Sequence, residues 1–167
     1  MKPKYWNKGK LYLSKKDTIL KSIITKYPNE HIVLNSNYYH CLLNSIIGQQ
    51  ISVSAANSIK NKFFSLKKNI SPVSVSKLNS KSLKKVGLSK QKTVYIKNLS
   101  IFFIKNKIFI NNINNLSEDE IKEKMILIKG VGNWTIDMFL IFGLGKLNVF
   151  PKKDLGLLKA ISINYKK

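Results

Sequence analysis

The sequence predicts an all-α protein, on three observations. No stretch shows a sustained two-residue alternation of apolar and polar residues, so strands find no support. Apolar residues recur instead at three- and four-residue spacing. Ser, Asp, Gly and Pro stand where helices would start and stop. Eight or nine helices are expected, without internal repeats, in one domain spanning 1–167. A hydrophobic content of 44% over 167 residues suffices for one compact unit.

A first amphipathic helix is placed at 15–27 and a more buried one, YYHCLLNSII, at 38–47. Gly48 interrupts. Ser52 can then cap a helix over 53–65 by accepting a bond from a first-turn amide. Pro72 and Gly87 punctuate shorter segments. A long helix runs from Ser89 to about Asn106, with Val94, Leu99, Phe102 and Phe103 on one face. The Asn-rich stretch 111–115 reads as a loop. Ser117-Glu-Asp-Glu120 forms a capping box, in which hydroxyl and carboxylate satisfy each other's unpaired amides. Ile121, Met125 and Ile128 follow as one apolar stripe. Residues 134–142 are apolar nearly all round, which predicts a central, buried helix.

Net charge is +22, from 30 basic and 8 acidic residues, and every basic residue is lysine. Lysine neutralises phosphate as a point charge but lacks the bidentate fork of arginine. Such a surface points to general affinity for a nucleic-acid backbone rather than to reading of base edges. Abundant Lys, Asn and Ile also fit AT-rich coding, which would explain lysine replacing arginine but not the scarcity of acids. The single cysteine, Cys41, excludes an intrachain disulfide and a cysteine-ligated metal or iron–sulfur cluster within the chain. It lies in an apolar run and reads as core. His31 and His40 have no ligand-like spacing and read as structural. No apolar stretch reaches membrane-spanning length, and MKPKYWNKGK lacks the apolar region of a secretory signal. The expectation is a cytoplasmic, nucleoid-associated protein if the source is bacterial.

Residues 127–154, LIKGVGNWTIDMFLIFGLGKLNVFPKKD, carry most of the chemistry. Gly130 and Gly132 flank Val131, so a tight turn can aim successive amides outward at the start of the next helix. A DNA phosphate is a natural guest there; an ordinary corner between helices would use the same glycines. Of the eight acids, Glu118, Asp119, Glu120 and Glu123 crowd one helix N-terminus, where they complement its dipole. Asp17 and Glu30 stand among charges and turns. Only Asp137 and Asp154 have apolar surroundings. Asp154 sits at a loop-to-helix junction, where it suits either a helix cap or chemistry.

The segments IIGQQISVSAA at 46–56, GLSKQK at 87–92 and GVGNWTIDMFLIFGLGKLNVFPKKDLG at 130–156 resemble helix-hairpin-helix DNA glycosylases of the 3-methyladenine-DNA glycosylase II type. YWNKGKLYLSKKD resembles that family's first segment. The resemblance implies two helical lobes around a cleft, with a hairpin motif at about 117–143. It implies Asp154 as the catalytic aspartate and Trp134, Met138 and Tyr39 as base pocket. Gln49, Gln50, Gly130, Val131, Gly132 and Thr135 would bind DNA, with Gln50 filling the gap left by an extruded nucleotide. The carbonyls of Ile126, Ile128 and Val131 would hold a sodium or potassium ion, with no other cofactor required. Lys152 and Lys153 would help keep Asp154 ionised. The resemblance implies a monomer acting on damaged double-stranded DNA. Trp134 stands where bifunctional relatives carry a lysine, which favours a hydrolase without lyase activity. Against relatives, the chain reads as short after Asp154, which would leave an apolar surface on 15–27 partly uncovered. A DNA-binding member with impaired catalysis, or a glycosylase for another lesion, stays open on sequence alone.

Overall fold

The computed structural model describes residues 1–166, and every regular element among them is helical. They form eleven α-helices and one 3₁₀ turn, more than expected, because short polar caps divide the chain more finely than apolar periodicity reveals. α1 (Trp6–Lys16) and α2 (Thr18–Lys26) replace the single helix expected at 15–27. Asp17 makes the break: its backbone is extended, and its Oδ1 accepts the Leu20 amide at 2.8 Å. α3 (Tyr38–Gly48) is capped by Asn37, and α4 (Val53–Phe64) by Ser52 as anticipated. Pro72 opens the short α5 (Pro72–Ser76), and α6 (Ser80–Lys85) ends just before Gly87.

α7 (Lys90–Lys105) lies between caps Ser89 and Asn106, close to its expected bounds. Its buried face matches the anticipated one at Leu99 and Phe103 and departs from it at Val94. Thr93, Ile96, Leu99, Ser100 and Phe103 are buried, while Val94 is 42% exposed. The true stripe includes two small polar residues, which an apolar count skips. α8 (Lys107–Asn112) extends helix into the Asn-rich stretch, and the 3₁₀ turn takes Ile113–Asn115. α9 (Glu118–Met125) starts at the predicted capping box. The Ser117 amide donates to Glu120 Oε2 at 2.8 Å, and the Glu120 amide donates to Ser117 Oγ at 3.3 Å. α10 (Asn133–Phe142) and α11 (Leu155–Tyr165) complete the chain.

The core forms where α3 packs against α7 and α10. Leu42, Leu43, Ile46, Ile47, Ile96, Leu99, Ile136, Phe139 and Leu140 are wholly inaccessible. Truncating one of these large aliphatics to alanine would cost about 2–5 kcal/mol. Cys41 belongs to this core, where burial pushes its thiol up to about 11. His40 is held structurally, donating to the Ile70 carbonyl at 2.6 Å.

α1, α2 and α11 form a second group with no fully buried residue. α1 packs on α2, and the Tyr165 hydroxyl of α11 donates to Asp17 Oδ2 at 2.7 Å. That contact ties the end of α11 to the junction between α1 and α2. α10 joins the two groups. Its Phe142 carbonyl accepts the Asn35 amide at 2.8 Å, and its Trp134 reaches the start of α11.

Candidate nucleic-acid interface and active site

Residues 126–132 turn the chain from α9 into α10. The Val131 amide donates to the Ile128 carbonyl at 2.9 Å, closing the turn. Gly130 adopts φ +99°, and a Cβ there would lie 2.0 Å from Cγ of Tyr95. The Tyr95 ring therefore requires this glycine. Gly132 is different: its backbone is extended, and a Cβ would meet nothing within 4 Å. It is the N-cap of α10 and supplies no side chain, so the first amides of α10 are left for an outside anion. Val131 in the turn and Thr135 on the first turn of α10 are both buried, so they hold the hairpin from within.

Gln49 points inward. Its Nε2 donates to the Gly130 carbonyl at 3.0 Å and to Thr135 Oγ1 at 2.9 Å. Gln50, next in the chain, is exposed with φ +56°, an uncommon conformation for a residue with a side chain. Both line a polar depression of about 400 Å³ beside the hairpin, together with Lys92, Tyr95, Lys129 and Gly132.

Asp154 is half-buried, and both carboxylate oxygens are engaged. Oδ1 accepts the Leu157 amide at 2.7 Å, capping α11. Oδ2 accepts the Trp134 indole N–H at 2.7 Å. These bonds, the indole's first, hold the carboxyl below the usual aspartate range. Hydrogen bonding is thus the cause, in place of the charge of Lys152 and Lys153 that the sequence suggested; both lysines are exposed. At neutral pH Asp154 is a fixed anion, unsuited to donating a proton. Asp137, the other acid in apolar surroundings, shifts the opposite way: desolvation raises it, and it senses Lys122 and Glu118 of α9.

Met138, half-buried, lies one turn beyond Trp134 on α10. Tyr39 does not join them. It is 4% exposed, bonds Ser100 Oγ at 2.6 Å and packs edge-on against Phe103. Its position on the inner face of α3 makes it core, and the assignment to a base pocket is corrected accordingly. The bonds that sequence reasoning missed span 20, 81 and 86 residues: Trp134 to Asp154, and Gln49 to each side of the hairpin. No local spacing signals them.

Among the described residues, one ion pair occurs, Lys122 with Asp119 at 3.7 Å. The lysine charge is therefore largely uncompensated and available to phosphates. No helix of the described residues is long and apolar enough to cross a membrane.

A model of the HhH-GPD superfamily base excision DNA repair protein matches residues 43–165. The DNA-3-methyladenine glycosylase of Saccharomyces cerevisiae is 33% identical over 152 residues, 83% of this chain and 51% of its own. DNA-3-methyladenine glycosylase 1 of Schizosaccharomyces pombe is 31% identical over 123 residues, 71% of this chain and 54% of its own. A 3-methyladenine DNA glycosylase of Schizosaccharomyces pombe, solved in complex with abasic DNA, matches with a TM-score of 0.85 at 26% identity. That match covers 95% of this chain and 81% of the other. The chain spans about half the length of the curated relatives it matches.

Proposed function

The chain belongs to the HhH-GPD superfamily of base excision DNA repair proteins, and on that footing we propose that it is a monofunctional DNA glycosylase. Its substrate is double-stranded DNA carrying alkylated bases such as 3-methyladenine. The observation that carries this reading is the Asp154 carboxylate, ionised and aimed by the Trp134 indole, on the helix that follows the hairpin's own. The relatives named DNA-3-methyladenine glycosylase support the substrate class.

The chemistry suits such a site. Extruding a base from the stack requires a few kcal/mol, which the hairpin amides and lysines can supply by gripping the backbone. Gln50 occupies the gap. An alkylated purine carries positive charge and leaves readily, so an acid is not needed. Trp134 and Met138 offer an aromatic face and a polarisable thioether to that cation. As the N-glycosidic bond breaks, its electron pair departs with the base and positive charge develops on the sugar. Asp154 stabilises that charge as an anion. Water adds to the anomeric carbon and gives up a proton, leaving a free base and an abasic site. Trp134 has no amine to attack the sugar, so no Schiff base forms.

A monovalent cation fits the hairpin. The carbonyls of Ile126 and Val131 accept no backbone hydrogen bond among the described residues, while that of Ile128 accepts one. A bound sodium or potassium ion there would stiffen the turn.

Base release from methylated duplex by wild type and Asp154→Asn, side by side and without added metal, tests the reading. Asparagine keeps the volume and one acceptor oxygen, enough to cap α11, while the charge and the second acceptor, which the indole uses, are lost. Wild type should free methylated purines, and the variant should retain duplex affinity with most turnover gone. Equal release by both proteins would leave Asp154 a cap. Binding without release of any lesion base would identify a non-catalytic member.

A further inference from the structure

Gln49 caps the C-terminus of α3, and its amide reaches two points of the hairpin. The Gly130 carbonyl precedes Gly132, and the Thr135 hydroxyl lies on the first turn of α10. One side chain from another helix therefore ties the hairpin across its base. The same α3 terminus is also held by Lys92, whose Nζ donates to the Ile47 carbonyl at 2.8 Å. Burial at this contact also lowers the Lys92 pKa. Between these tethers and solvent stands Gln50, exposed, with φ +56°. Residues with a side chain persist in that conformation only where their surroundings over-determine it. The tethers at Gln49 and Lys92 are such surroundings.

We infer that Gln49 is a positioning residue that couples the seating of the hairpin on a phosphate to the presentation of Gln50. The inference rests on the proposed reading of Gln50 as the group that fills the gap. The hairpin amides fix Gly130 and Thr135 relative to the bound phosphate. Gln49 registers its own backbone to both. Gln50, one peptide further on, is then held at a set offset from that phosphate. Without the two bonds, residue 50 relaxes out of the left-handed region and its side chain withdraws. A glutamine that only satisfied the loop would stabilise the fold but would not act through its neighbour.

The test uses a duplex with a stable abasic-site analogue and 2-aminopurine beside it. It reads affinity and 2-aminopurine fluorescence, with thermal unfolding as control. Gln49→Met keeps length and removes both donors. It should weaken binding on the order of ten-fold, the scale of one or two buried hydrogen bonds, and abolish the fluorescence change. Gln50→Ala should abolish that change too. The double variant should bind no more weakly than Gln50→Ala alone. Additive losses, or a wild-type fluorescence change in Gln49→Met, overturn the inference. Should Gln49→Met fail to fold, Gln49→Glu serves. It can still accept from the Thr135 hydroxyl but opposes the Gly130 carbonyl, and the same non-additivity applies. The abasic duplex needs no bond cleavage. Absent base release with the cycle intact would therefore sink the glycosylase reading alone, and base release with an additive cycle would sink this inference alone.

Discussion

Trp134→Phe separates the two tasks given to the indole, because phenylalanine keeps an aromatic face and loses the N–H. The lost bond is short, 2.7 Å, and its acceptor is charged. Hydrogen bonds to charged groups contribute about 1.5–3 kcal/mol. Asp154 is half-exposed and solvent competes, so the lower end applies, about 1.5 kcal/mol. Expressed wholly in the transition state, that is about a ten-fold fall in single-turnover base release. A second effect follows from protonation. The indole is the leading cause of the depressed Asp154 pKa, so removing it lets the pKa rise toward the ordinary aspartate range. Activity requires the ionised form, so the acid limb of the rate profile moves to higher pH, and the deficit grows as pH falls. The assay is single-turnover release of 3-methyladenine across pH, with the enzyme-free rate subtracted at each point. On an Asp154→Asn background, Trp134→Phe should add little. An unchanged acid limb together with unchanged turnover would refute the claim that the indole aims the carboxylate.

The two hairpin glycines should part company. Gly130→Ala meets Tyr95 and a positive φ, so it should lose on the order of 3 kcal/mol of stability, about 10 °C in melting temperature. Gly132→Ala should melt like wild type but bind duplex more weakly, since its methyl projects into the space a phosphate would occupy. The depressed pKa of Asp154 makes its ionised form stabilising above the unfolded aspartate value. That contribution disappears as pH falls through the folded pKa, so the melting difference between wild type and Asp154→Asn should shrink on acidification below about pH 4. Duplex affinity should fall with salt at a log–log slope of roughly −0.9 per phosphate contacted, and Lys129→Gln should lower that slope by about one. A slope near zero in titrations would remove the electrostatic footprint.

Caps made much of the fold legible. Ser52, Ser89 and Ser117 each stand one residue before a helix, and each side chain accepts a first-turn amide. The same chemistry was missed at Asp17, where apolar spacing on both sides suggested continuity and one carboxylate broke the helix. On α7 the expected face holds at Leu99 and Phe103, and the buried polar residues escape it for a related reason. Ser100 is buried because its hydroxyl bonds the Ile96 carbonyl at 2.7 Å, and it also pairs with the Tyr39 hydroxyl. A satisfied polar residue can enter a core, and hydropathy alone does not show which ones are satisfied. Tyr39 is buried on the same ground, since its polar tip finds its partner inside.

At the site, the sequence offered Asp154 as cap or as chemistry, and the geometry removes the competition between them. A carboxylate has two oxygens in one plane. The Leu157 amide takes Oδ1 and the Trp134 indole takes Oδ2, so the cap fixes the rotamer that the indole then secures. Serine could cap α11 equally well but would bring one oxygen and no charge. The loop that delivers Asp154 is anchored as well. Pro151 is buried, its carbonyl accepts the Asp154 amide at 2.9 Å, and Lys146 upstream donates to the Leu116 carbonyl. Gly156 stands close behind, where a Cβ would lie 3.2 Å from Oδ1. Helix start, loop anchor and indole thus converge on one carboxylate that stays ionised at neutral pH. That convergence depends on contacts between α10, the loop and α11, which is why the residue was visible in the sequence and its aim was not.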